Sequence, residues 1–190
     1  MAVQNDAQHH ILSVLVENKF GVLSRIAGLF ARRGFNIVSL AVGHSETAGV
    51  SRMTIVVQTD AGGAQRIEAH LYKLIHVIRV EDITNRPAVV RDLALIKVRA
   101  DREHRPSLMQ LAEVFGARVV DVAPESIVIE MVGSEAKIDG LLDVLRPYGV
   151  LEMVRTGRVA MARGVGNGSP TAGGPAAALP EAEAGVSYSV

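Results

Sequence analysis

An apolar run, Ile11 to Val16, breaks at Asn18-Lys-Phe-Gly21 and passes straight into a stripe of Val22, Ile26, Leu29 and Phe30. Spacing of i, i+4, i+7 and i+8 is one face of an amphipathic helix. Arg32 and Arg33 complement the dipole of its last turn, and Gly34 stops it. A second strand follows from Phe35 to about Val42, then a loop over Gly43–Gly49. A third strand carries Met53, Ile55 and Val57 on one face and Arg52, Thr54 and Gln58 on the other. Ala61-Gly-Gly63 is read as a turn before a helix with Ala64, Ile67, Leu71 and Leu74 on one face, and Val77–Asp82 closes the unit. The order is β-α-β-β-α-β. The nearly continuous apolar character of the first strand is that of a central strand buried on both faces.

The same succession returns with little sequence identity. Leu93–Val98 is a strand, and Leu108, Leu111, Ala112 and Phe115 form a helical stripe stopped by Gly116. Ser107 and Gln110 have capping-box spacing. Arg118–Val122 and Ile127–Val132 form a hairpin across Ala123-Pro-Glu-Ser126. Ile138, Leu141, Leu142 and Leu145 make the last helical stripe, and Val150–Val154 the last strand. Right-handed crossovers then place both helices of each unit on one face of a four-stranded antiparallel sheet, leaving the other face and the edge strands open to pairing. The expected organisation is an N-terminal extension at 1–9, one α+β ferredoxin-like domain at 10–85, a second at 86–163 with Asn85-Arg-Pro87 as linker, and a disordered Gly-, Pro- and Ala-rich tail at 164–190. Units this small have modest cores, so dimerisation is expected.

Composition narrows the chemistry. Twenty basic residues balance twenty acidic ones, which argues against nucleic acid as a main partner. No cysteine is present, so disulfides, thiolate zinc sites and cysteine nucleophiles are excluded. No apolar run approaches the roughly 20 residues of a membrane span, and the first residues lack the form of a signal peptide; a cytoplasmic location is expected. His9-His10 is expected to precede the first strand, and His44, His70, His76 and His104 are scattered, with surface solvation the expected role of His70 and His76. No hydrolase, zincin or phosphate-loop motif occurs. Gly164-Val-Gly-Asn-Gly168 follows the last strand without a helix and is no dinucleotide loop.

The junction Asn18–Gly21 is the sharpest candidate site. Helix N-terminal N–H groups converge there and favour a carboxylate, Gly21 lets a ligand approach the backbone, and Asn18 both donates and accepts. Asn36, two residues past Gly34, is a second polar candidate. Turn and cap chemistry by itself also accounts for all three.

Together, Leu12–Asn18, Gly21-Val-Leu-Ser-Arg25, Leu29-Phe30, Arg33-Gly-Phe-Asn-Ile37, Leu40, Ser51-Arg-Met-Thr-Ile55 and Gln65–Val80, with its phrase Lys73-Leu-Ile-His-Val-Ile-Arg-Val80, closely resemble the small regulatory subunit of acetohydroxyacid synthase (acetolactate synthase). The likeness spans residues 10–163. It implies an ACT domain followed by an ACT-like domain, no catalytic site, and no cofactor in this chain. It implies a homodimer formed through ACT domains that binds valine or a related branched-chain amino acid between them. It further implies activation of a large catalytic subunit holding thiamine diphosphate, magnesium and FAD, with the amino acid acting as feedback inhibitor of branched-chain amino acid biosynthesis. By motif, Asn18, Gly21 and Val22 would meet the effector from one protomer, and Asn36 and Ile37 from the other. Two alternatives stay open: a stand-alone ACT sensor with another target, and an acylphosphatase-like hydrolase. The latter needs an arginine dedicated to the turn, whereas Arg25 falls within the first helix.

Overall fold

The computed structural model describes residues 8–164; apart from Gly164, the expected tail lies outside the described residues. The elements are β1 (Gln8–Glu17), α1 (Val22–Arg33), β2 (Ile37–His44), β3 (Val50–Thr59), α2 (Ala61–Leu71), β4 (Val77–Asp82), β5 (Ala88–Arg99), α3 (Arg105–Val114), β6 (Arg118–Val122), β7 (Ser126–Gly133), α4 (Glu135–Leu145), β8 (Val150–Arg155) and β9 (Val159–Ala162). The N-terminal sheet has the order β2-β3-β1-β4 and the C-terminal one β6-β7-β5-β8, with every pairing antiparallel. The expected βαββαβ repeat is therefore the fold.

Each sheet buries its helix-facing side. In the N-terminal half Leu12, Val14, Ile55 and Val57 pack against Ile26, Phe30, Ile67 and Leu71. Ala94, Ile96, Val98 and Ile129 pack against Leu108, Ile138, Leu141 and Leu145 in the C-terminal half. Each of the Val, Leu, Ile and Phe side chains contributes about 1.5–3 kcal/mol on burial, so the two stripes per half decide which way the helices face.

Several sequence expectations need correction. The outer face of the N-terminal sheet is not free. β5 starts five residues earlier than expected, and its Ala88–Arg91 segment pairs with β9, a strand the sequence reading missed. This short ladder lies on the outer face and creates a third apolar cluster of Ile11, Val56, Ile83 and Ala160. Thr54, on the strand face opposite Met53, Ile55 and Val57, is buried there and accepts a hydrogen bond from the Ala160 N–H at 3.4 Å. Ala61-Gly-Gly63 is the first turn of α2 rather than a separate turn, because the Asp60 side chain caps it by accepting from the Gly63 N–H. The Ser107/Gln110 capping box does not form: α3 begins at Arg105, with Pro106 in its first turn and Asp101 accepting the N–H groups of Glu103 and His104. His9 and His10 belong to β1 itself. His10 is buried and its Nδ1 lies 2.8 Å from the Asp82 carboxylate, tying β1 to the end of β4.

Candidate functional site

Asn18, Gly21 and Val22 meet at one end of the N-terminal sheet. β1 ends at Glu17 opposite Val50, and the Asn18 N–H continues toward β3 with a 2.7 Å bond to the Gly49 carbonyl. Gly21 adopts φ 78, ψ 0 as the N-cap of α1, a left-handed conformation that favours glycine. Val22 points into the core. No side chain caps this helix, and no acidic residue occupies its first turn. The Val22 N–H reaches back to Lys19 O at 3.4 Å, and Arg25 N–H donates to Gly21 O at 3.0 Å. Between them, the N–H groups of Leu23 and Ser24 meet no acceptor among the described residues. They carry the positive end of the helix dipole and are suited to a carboxylate. No atom lies within 4 Å of a Cβ placed on Gly21, so the turn is open on that side.

Asn36 and Ile37 lie at the other end. Gly34, at φ 70, closes α1, and β2 begins at Ile37, which pairs with Val57, itself opposite His10 near the start of β1. β2 finishes at His44 opposite Ser51, back at the Asn18 end. Asn36 is exposed, and Ile37 is half-buried against the core. The structure thus joins Asn18 to Gly21 and Val22 and separates that group from Asn36 and Ile37 by the 12 residues of α1, roughly 18 Å of helix. β2 is an edge strand of its sheet.

The Asn18 turn is braced by a residue that carries no local sign of that role in the sequence. His76 has φ 81, unusual for a residue with a Cβ. Glu17 holds it twice: its N–H donates to His76 O at 2.9 Å, and its carboxylate lies 3.0 Å from His76 Nδ1. His76 is therefore a bracing residue of the turn rather than a solvated surface histidine. Hydrogen bonds from Lys19 first, and then from His76, hold the Glu17 carboxyl below its ordinary value. Phe20 projects fully into solvent from the same turn, and Ile75 is 76% exposed beside His76. A histidine gives no sign in the sequence that its backbone is left-handed. Among the described residues no group of three or more His, Asp or Glu side chains could hold a metal ion, and no helix is long and apolar enough to cross a membrane.

Two family models divide the chain between them. Residues 12–79 match the acetohydroxyacid synthase small subunit-like ACT domain, and residues 91–164 match the small subunit of acetolactate synthase. The chain belongs to the acetolactate synthase small-subunit family. The acetolactate synthase small subunit of Mycolicibacterium smegmatis is 48% identical over 162 residues, covering 85% of this chain and 95% of that one. That of Mycobacterium leprae is 48% identical over 155 residues, covering 82% and 92% respectively. The crystal structure of the acetolactate synthase small subunit from Thermotoga maritima superposes with a TM-score of 0.78 at 43% identity, covering 83% of this chain and 99% of that one. Family membership accounts for the repeat, since one model covers each half, and it makes this chain a regulatory subunit rather than a hydrolase.

Proposed function

We propose that this chain binds and activates an acetolactate synthase catalytic subunit in the cytoplasm and makes it sensitive to feedback inhibition by a branched-chain amino acid, valine first. The observation that carries the effector site is the separation of two complementary half-sites by α1. An uncapped helix start with open N–H groups stands at one end, and an exposed amide beside an apolar residue stands at the other. One copy cannot close both around a single amino acid. Two copies joined by antiparallel pairing of their β2 edges can, since the Asn36 end of one β2 then lies beside the His44 end of the other. The His44 end adjoins the Asn18 turn.

In that homodimer the effector carboxylate lies on the open N–H groups at the start of α1, strengthened by the dipole. Asn18 and Asn36 hydrogen-bond the ammonium and carboxylate groups. Ile37 and neighbouring apolar atoms cover the isopropyl group, contributing about 1.5–3 kcal/mol. One methylene more or less changes affinity by only about 1–3 kcal/mol, so leucine and isoleucine cross-bind. A ligand gripped from both copies binds one relative pose of the pair better than another, which is the differential contact that allosteric coupling requires. Thiamine diphosphate, magnesium and FAD belong to the catalytic partner, and neither nucleic acid nor a membrane takes part.

Co-expression with the catalytic subunit tests the reading. The expected result is co-purification, raised acetolactate formation, and inhibition of the complex by valine. A folded preparation that binds valine yet neither associates with nor changes the activity of the catalytic subunit would favour a stand-alone sensor.

A further inference from the structure

A break in the register of β2 and a close approach of the C-terminal half fall at one place. β2 pairs with β3 as Ile37 with Val57 and next as Ser39 with Val56, so Val38 is an inserted residue. Such bulges re-aim the side chains beside them, which here are Ile37 and, one residue further, Asn36. The loop between β8 and β9 abuts the far side of this bulge, across a cleft of about 380 Å³ bordered by Val38, Leu40 and Arg155. Gly157 has φ 77, and a Cβ added to it would stand 2.8 Å from Ser39 Cβ and 3.2 Å from Ser39 Oγ. That approach excludes any side chain at 157 unless β2 gives way. The Ser39 hydroxyl is buried and makes no hydrogen bond, so the contact of Ser39 with Gly157 is one of shape rather than of side-chain polar bonding.

The loop behind Gly157 is tied on both sides. Asp92, buried, accepts from Arg155 Nε at 3.1 Å and from the Thr156 hydroxyl at 3.1 Å. Arg155 Nη1 donates to Asp139 at 2.8 Å. The Thr156 N–H donates to Leu93 O at 3.0 Å, and the Leu93 N–H returns a bond to the Thr156 hydroxyl at 3.2 Å. Past the glycine, Arg158 pairs with Glu135 in the first turn of α4, and Ala160 is wedged against Ile11 and Val56. A close-packed contact backed by such a loop transmits displacement rather than absorbing it.

We infer that Gly157 is a positioning residue for the effector site: the loop Arg155–Arg158 of the C-terminal half seats the β2 bulge at Ser39 and so sets where Asn36 and Ile37 stand. A ligand that draws on Asn36 and Ile37 therefore draws on the C-terminal half through the same contact, and linkage makes the influence mutual. What Asn36 and Ile37 bind rests on the proposed effector function; the seating of β2 does not.

Amide hydrogen exchange of residues 36–40, measured on the full chain, tests it. Gly157→Ala is expected to speed exchange there by about tenfold or more, a local loss of protection. Gly116→Ala, at φ 64 with nothing nearer its Cβ than Lys137 Nζ at 3.7 Å, carries comparable backbone strain and leaves those amides unchanged. Adding Ser39→Gly to Gly157→Ala removes the obstacle but not the strain, and is expected to restore protection. Valine affinity follows the same order, with a loss of about 5- to 150-fold in Gly157→Ala and recovery in the double variant. Thr156→Val, which loosens the loop without adding bulk, speeds exchange at 36–40 as well and serves if Gly157→Ala does not fold. Unchanged exchange in either variant, or a Gly157→Ala effect that Ser39→Gly fails to reverse, overturns the seating. A wild-type chain that binds no valine yet shows this exchange pattern supports the seating and overturns the effector reading instead.

Discussion

Gly21 and Asn36 flank the same helix and stand at opposite ends of one sheet: Gly21 is the N-cap of α1, and Asn36 lies two residues past its C-cap, Gly34. A 12-residue helix stands between them, so under the proposed function each residue is half of a site that a second copy completes. In that proposed arrangement occupancy reports on the relation between two chains, which is how a ligand there would regulate.

Substitutions at Gly21 separate backbone strain from charge. An L residue held at φ 78 costs about 1–2 kcal/mol, and aspartate tolerates that region better than alanine. Strain alone therefore ranks Gly21→Ala as the more damaging change. Repulsion of the effector carboxylate ranks Gly21→Asp as worse for binding. We expect Gly21→Asp to lose valine binding, measured by calorimetry, more severely than Gly21→Ala, while its thermal midpoint falls no further. The reverse order of affinities would argue against a carboxylate at this helix start.

The His10–Asp82 pair predicts a pH dependence. Burial opposes ionisation of Asp82, but hydrogen bonds from the Thr84 hydroxyl and N–H, and from His10, together hold its carboxyl below the ordinary value. A folded-state value below the unfolded one of about 3.9 means that this stabilisation is present above the unfolded value and disappears as pH falls through the folded one. Asp82→Asn should lower stability by about 1–3 kcal/mol near neutral pH. Its deficit should shrink as the pH falls below the unfolded value and through the lower folded one. Urea melts showing an equal deficit across that range would contradict the assignment.

Adjacent glycines in α2 should respond in opposite directions. A Cβ on Gly62 meets the flexible end of the Arg66 side chain at 3.3 Å and Asp60 Oδ1 at an ordinary 3.6 Å, whereas one on Gly63 meets Thr59 Oγ1 at 1.9 Å, Asp60 Oδ1 at 3.0 Å and Thr59 Cβ at 3.1 Å. Gly62→Ala should stabilise by up to about 1 kcal/mol, as glycine-to-alanine changes in helices do. Gly63→Ala should cost about 1–3 kcal/mol through overpacking. For a chain of this size each kcal/mol moves the melting midpoint by about 2–4 °C, which calorimetric scans resolve; equal shifts in both variants would refute the early start of α2.

Elements with a strong apolar period were legible in the sequence. The stripes Val22-Ile26-Leu29-Phe30 and Ile138-Leu141-Leu145 are the buried faces of α1 and α4, and the turn at Asn18–Gly21 lies where the strand pattern gives way to the helical one. Features decided by distant contact were not legible. β9 is four residues long and pairs with β5, a partner about 70 residues away that no local pattern announces. Thr54 reads as an outward residue of an alternating strand until that ladder covers it. Gly157 looks like a loop breaker, and only the fold reveals Ser39 against it. The early start of α2 was hidden because Gly62-Gly63 carries the composition of a turn, while the Asp60 cap that outweighs it is a single residue.

In the proposed function the ends of α1 from two copies bind one branched-chain amino acid, and calorimetric titration of the purified chain with valine, alongside leucine and isoleucine, decides whether they do. Saturable valine binding at the dimer interface is expected, and Asn36→Ala should weaken it by about 10–100-fold, the loss of a hydrogen bond to a charged group. An intact dimer that binds no valine, or an Asn36→Ala variant with undiminished affinity, would contradict it.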